Sequence, residues 1–285
     1  MDPSVSRRML RTLEPVHGMI YFVPEGHETY TAAGLKGRRM GYFASRSAAM
    51  GPVPAEVVIA TFYNFNPDLV RRAIPEAWAL ASPSRVLEAR LEAADLALRR
   101  MLGEAIRSRE MTEAAELARR ATEGCRPEGH PLYAGHASLP WPSPSDPHLV
   151  LWHAQTLLRE FRGDGHIAAL VAAELTGIEA LVVHQATGEL APGVLQISRA
   201  WSDEEWAAGE ASIRTRGWLA NDGTLTEAGR QSREETENLT DRLTLRCWEL
   251  LGEQSCTRLR ELVRPWSRTI AEQALAGGLT FDDED

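Results

Sequence analysis

Six of the eight histidines fall between residues 130 and 184: His130, His136, His148, His153, His166 and His184. The densest polar chemistry of that stretch is His153, Glu160, Asp164 and His166. His153 and Glu160 are seven residues apart, two turns along one side of a helix. Gly163 is expected to end that helix in a sharp turn, returning Asp164 and His166 toward the other two. Two imidazoles with one or two carboxylates can bind a divalent metal, with His153, Glu160 and His166 as candidate ligands. The same four side chains can serve as an acid–base set when burial separates their pKa values. Plainer roles fit them as well: a boundary histidine bonded to a carbonyl, a glutamate paired with an arginine, an aspartate capping the next helix. The spacing matches no zinc signature, so all three possibilities stay open.

Arg159 and Arg162 flank this group and suit a carboxylate or phosphate ligand. A second polar group, Tyr63, Asn64 and Asn66, sits where one helix stops and another starts, where amides and a phenol can line a pocket or simply cap helix ends. Tyr21, Tyr42 and Arg46, in an irregular N-terminal stretch, are candidates to join that pocket. The chain has no glycine-rich phosphate loop, nucleophile elbow, HExxH or dinucleotide fingerprint. ATP and NAD therefore have no support as cofactors, and a divalent metal is the one cofactor the residues suggest.

The elements that must hold these residues are mainly helical. The 285 residues, 44% hydrophobic and 25% charged, can bury a substantial core. The clearest helix follows Ser82, with Leu87, Leu91, Ala94, Leu98 and Met101 on one face. Six prolines between 124 and 147 exclude a continuous helix or central strand there. That stretch is expected to link an N-terminal helical domain, 1–123, to a second domain, 148–285. In the second domain, helices over 148–161, 167–174, 178–186 and 202–216 lead to Trp218-Leu219-Ala220-Asn221-Asp222-Gly223-Thr224-Leu225. Asn-Asp-Gly between short apolar pairs predicts a β-hairpin. Two long helices follow, the last with Cys256, Leu259, Val263, Trp266 and Ile270 on one stripe, and then a solvated acidic tail, Phe281–Asp285.

The order helix, short helix, turn, helix, two-stranded wing, long helix resembles a winged helix. "ASIRTRGWLANDGTLTEAGR" is similar to the end of the recognition helix, the wing and the following helix of MarR-type regulators. "TFYNFNP", "LWHAQTLLREFRGDGH" and "RGWLANDGTLTEAG" resemble an actinobacterial family of helix-turn-helix proteins. The resemblance implies a mainly α fold in two helical domains, the second carrying a small β-hairpin wing, and a homodimer built through the helices after the wing.

Charge argues against strong DNA binding. The formal net charge is -9, and all basic residues but Lys36 are arginines, which reads as the codon usage of a GC-rich genome. The helix in the recognition position, Ser202–Arg216, sets Asp203, Glu204, Glu205 and Glu210 against Arg214 and Arg216. Its N-terminal half, which should read base edges, would meet phosphates with carboxylates. Cys125, Cys247 and Cys256 form no disulfide or zinc pattern, and the N-terminus has no apolar signal run. No apolar stretch is long enough for a membrane helix. The expectation is a cytosolic, small-molecule-binding protein of winged-helix ancestry with weak or no DNA binding. The alternatives are an enzyme using the 153–166 cluster and a DNA-binding repressor.

Overall fold

The structure, a computed structural model, describes residues 1–275. The acidic tail lies outside the described residues. Helices fill the chain in the order α1 (Val5–Gly18), α2 (Pro24–Ala32), α3 (Gly37–Ser47), α4 (Ala55–Phe62), α5 (Pro67–Ala73), α6 (Glu76–Leu80), α7 (Pro83–Leu102) and α8 (Arg109–Thr122). They continue as α9 (Pro131–Ala137), α10 (Pro147–Ala172), α11 (Gly177–Gln185), α12 (Val194–Ser198), α13 (Asp203–Thr215), α14 (Glu227–Leu243), α15 (Arg246–Leu251) and α16 (Glu253–Leu275).

α10 is the axis of the fold. Nineteen of its 26 residues are buried, because α1, α7, α8, α9 and α14 pack around it. Gly163 and Gly165 do not end this helix, contrary to the sequence expectation; it runs unbroken to Ala172. Gly165 serves close packing. A Cβ on Gly165 would sit 2.9 Å from Thr244 Cγ2, so its absence lets the chain end of α14 approach. The proline-rich stretch is also ordered around α9, entered by Pro131 at its first turn, where a missing N–H costs nothing.

The apolar residues form three main clusters. One joins α1, α7, α8, the first half of α10 and α16, and includes Cys256, Leu259, Val263 and Ile270 of the last helix. A second joins α2 to the start of α7 through Phe43, Phe62 and Phe65. The third gathers Leu170 at the end of α10 with α11, α13 and the following turn through Leu181, Val182, Trp206 and Ile213. α11 and α13 pack against each other. Each opens on a capping box, Thr176 with Glu179 and Ser202 with Glu205, satisfying orphan N–H groups at the helix start. Gly209 leaves room for Ile178 and Val182 to seat against α13.

The predicted β-hairpin wing is not formed. Among the described residues there is no β-strand, and Leu219 and Leu225 make an isolated antiparallel bridge. The turn chemistry is as expected: Gly223 N–H donates to Ala220 O at 3.1 Å, and Asp222 accepts from Thr224 N–H at 3.0 Å. The arms are too short for a ladder. Gly217, at φ 72°, has only just left α13, and Thr226 already caps α14. Three residues on each side leave room for a single pair.

No single helix among the described residues is long and apolar enough to cross a membrane.

Candidate functional site

Where α10 passes between α1, α3 and α7, an ionic cluster lies inside the fold. Glu160, 1% exposed, is at its centre. Arg46 of α3 donates from Nη2 to Glu160 Oε2 at 2.9 Å, and Arg159 donates from Nη1 to Oε1 at 3.3 Å. His17 of α1 lies 3.8 Å from the same Oε1. Its other contacts are with the Tyr21 hydroxyl at 2.7 Å and Thr156 Oγ1 at 3.0 Å. Arg46 also donates to the Tyr42 hydroxyl at 2.8 Å and lies 4.3 Å above the Phe62 ring. Arg159 reaches Glu14 at 3.2 Å.

Burial alone would raise the Glu160 pKa, but Arg46 and Arg159 outweigh it and hold the carboxyl well below the usual range. Burial, helped by Arg159 and Arg90, pushes His17 well down. Burial and Arg90 bring His136 to about 3 and His153 to about 4. These imidazoles are therefore neutral near pH 7, and the site's positive charge is all guanidinium.

Arg90 is the residue that sequence reasoning missed. It lies on α7, 2% exposed, with its guanidinium 5.1 Å above the Trp152 ring and 5.9 Å from that of Tyr21. None of Nε, Nη1 and Nη2 has a hydrogen-bond partner. Arg46 Nε, Trp152 Nε1 and His153 Nε2 are likewise buried and unbonded. Guanidinium keeps its proton in proteins, so Arg90 cannot relieve its burial by neutralising. Taking an ion out of water costs several kcal/mol, whereas a desolvated cation–π contact returns about 2. A signal for it was present. Arg90 interrupts a small-residue stripe, Ala89, Ala93, Ala94 and Ala97, that turns out to be the buried face of α7. Of the expected face, Ala94, Leu98 and Met101 are buried, while Leu91 is 38% exposed.

The four residues singled out on α10 do not meet at one centre. His153 packs edge-on to Trp141, with ring centroids 4.8 Å apart. Asp164 accepts the Tyr133 N–H at 2.9 Å, so it holds the start of α9; burial pushes its pKa up to about 7. His166 faces α14 and bonds Thr240 Oγ1 at 3.0 Å. Arg162 also faces α14, reaching Glu237 at 3.1 Å and Asp241 at 2.9 Å, and Arg7 of α1 closes on the same Asp241 from the other side. Arg159 alone joins the Glu160 cluster. With α10 continuous, Asp164 and His166 have no turn to bring them back. Among the described residues no three His, Cys, Asp or Glu side chains come together in a group that could hold a metal ion.

The 61–67 segment splits its residues between two neighbours. Phe62 and Phe65 face arginines, Phe65 lying 4.8 Å from the Arg199 guanidinium carbon. Its polar residues instead bind the segment between Leu175 and Glu205. The Tyr63 hydroxyl donates to Leu175 O, Asn64 O accepts from Trp201 Nε1 at 3.0 Å, and the Asn66 amide donates to Glu205 at 3.2 Å. Tyr63 has φ 60°, a strained value for a residue with a Cβ, and its carbonyl lies 2.1 Å from where a Cβ on Gly177 would be.

The arginines at the end of α13 and the start of α14 are engaged. Arg214 pairs with Glu210 at 2.9 Å. Arg216 donates to the carbonyls of Ala173 and Glu174 at the end of α10 and lies 5.3 Å above Trp218. Arg230, past the turn, pairs with Glu227 at 2.8 Å. Asp203 and Glu204 at the start of α13 are exposed.

No curated protein and no solved structure matches the chain. A family described as a helix-turn-helix family matches residues 6–277. That span is nearly the whole chain, and this protein belongs to that helix-turn-helix family.

Proposed function

We propose that this helix-turn-helix protein binds a small molecule among α3, α7 and the first half of α10, and that its grip on DNA is weak or absent. The observation that carries the reading is the set of unbonded, buried donors on Arg90, Arg46, Trp152 and His153, ringed by aromatic side chains. Ligand sites combine such an apolar, aromatic lining with a few placed polar groups. The weak DNA contact is supported by charge. Exposed carboxylates open α13, and Arg214 and Arg216 spend their donors within the chain. The likeness of the 211–230 segment to MarR-type regulators supports descent from a ligand-responsive regulator. A cytosolic setting fits three free cysteines.

The test is paired. The purified chain is titrated onto labelled duplex from its own upstream region over a range of salt concentrations. Thermal melts are recorded with aromatic acids, phenols, amides and sugar phosphates. The expected outcome is weak, sequence-independent DNA binding and a saturable stabilisation by at least one compound class. Nanomolar, sequence-specific binding of the duplex would overturn the DNA half. Melts unmoved by every class would overturn the ligand half.

A further inference from the structure

We propose that the ligand carries an oxyanion, a carboxylate or a phosphate, and that Arg90 receives it, with the Arg46 Nε and His153 Nε2 groups beside it and Trp152 and Tyr21 packing its organic part. The inference rests on the small-molecule reading above and names its ligand class.

Charge leads to the anion. Arg46, Arg90, Arg159 and Arg199 are the guanidiniums of this interior, and they act on one another and on the same tyrosines and histidines. Against them stand Glu160 and Glu14. Glu160 divides its two oxygens between Arg46 and Arg159, and Glu14 bonds Arg159. Arg199 donates to the Ser198 hydroxyl, leaving its Nε unbonded. Glu14 keeps a buried, unbonded Oε2 and Asp164 accepts the Tyr133 N–H, yet none of these carboxylates bonds the Arg90 guanidinium. The histidines that Arg90 acts on are held neutral, so they add no further positive charge and stay able to donate or accept a hydrogen bond.

Geometry selects an oxyanion over a neutral acceptor. A guanidinium offers parallel N–H groups in a planar fork that matches two oxygens of a carboxylate or phosphate. The Arg90 guanidinium carbon lies 5.1 Å from the Trp152 ring centroid, and no side chain or backbone oxygen takes the fork's N–H groups. Such an arrangement is costly for stability and suited to binding, because a group kept unpaired in the free protein gives its full interaction to the incoming partner.

The experiment melts the full chain in acetate, benzoate, inorganic phosphate, benzamide or chloride at matched ionic strength, for wild type, Arg90→Met and Arg90→Lys. The expected result is a saturable rise in melting temperature with benzoate, acetate or phosphate that chloride and benzamide do not give. Benzoate above phosphate identifies a carboxylate ligand; phosphate above benzoate identifies a phosphorylated one. Arg90→Met removes a buried, unpaired charge, so it melts several degrees higher than wild type without ligand and loses the oxyanion response. Arg90→Lys retains a reduced response. An oxyanion response that survives Arg90→Met, or an Arg90→Met chain that melts lower than wild type, overturns the assignment. A response to benzamide and not to benzoate overturns the oxyanion while leaving the small-molecule reading standing. Silence toward every probe overturns the oxyanion, and the broader compound panel decides the parent reading separately.

Discussion

Replacing Glu160 by Gln tests the ionic centre directly. The substitution keeps the shape of the side chain and removes its charge from a position 1% exposed. Arg46 and Arg159 lose their shared partner, and Arg46 is itself largely buried. Breaking a buried pair by deleting one partner costs about 3–5 kcal/mol, because the remaining charge is left uncompensated. For a chain of this size that is a melting temperature lower by roughly 10 °C. Urea unfolding of wild type, Glu160→Gln, Arg46→Met and the double variant then separates the pair from the site. The double variant should recover part of the loss, with a coupling of about 2 kcal/mol. The pH dependence has a definite sign. The folded-state pKa of Glu160 is depressed from 4.5, so its contribution is complete above that value and is lost as pH falls toward the lowered one. The gap between wild type and Glu160→Gln should therefore be constant near neutrality and narrow below about pH 4. A loss under about 1 kcal/mol, or a gap that persists undiminished into strong acid, would refute the buried-pair reasoning.

Asp164 should behave oppositely. Its folded pKa is raised from 3.8 to about 7, so wild type loses stability as pH rises through that window, by on the order of a few kcal/mol. Asp164→Asn keeps an acceptor for the Tyr133 N–H and should flatten that slope; equal slopes in urea titrations at several pH values would contradict it. Gly177→Ala places a Cβ on the Tyr63 carbonyl, a backbone atom that cannot swing away. The expected cost is about 3 kcal/mol or more, with faster proteolysis around 61–67, and a near-neutral melt would show that this contact is not held. Asp203→Asn with Glu204→Arg removes negative charge from the exposed start of α13. Non-specific DNA affinity should rise severalfold, with a salt slope steeper by about 1, and an unchanged slope would mean that this helix end does not face the duplex.

The helical class and most helix starts were legible in the sequence because caps and periodicity are local. Ser82, Thr176, Ser202 and Thr226 each cap a helix through their own side chains. Two misreadings share a cause. Gly163 and Gly165 look like helix breakers, yet they sit inside α10; what Gly165 answers to is Thr244, 79 residues further on. The hairpin signal at 221–223 is real as a turn, but arm length is set by where α13 stops and α14 begins. The cluster at 153–166 was partly legible. Glu160 and Arg159 do lie together, whereas the turn expected to return Asp164 and His166 is excluded by an unbroken helix and His153 packs on Trp141 instead. Arg46 appeared only as a minor candidate, and Arg90 was hidden in an alanine-rich stripe whose buried side is fixed by packing against α2 and α10.

The continuity of α10 has a mechanical consequence. At 1.5 Å per residue its 26 residues reach about 39 Å. Trp152, His153 and Arg159 ride on its first half, and Leu170, near its far end, packs with α11 and α13. A rod with no joint cannot absorb a push at one end. A tilt or slide imposed beside Trp152 is carried along the helix toward Ala173 and Glu174, just past its end, whose carbonyls Arg216 holds, as a lever carries a stroke to its load.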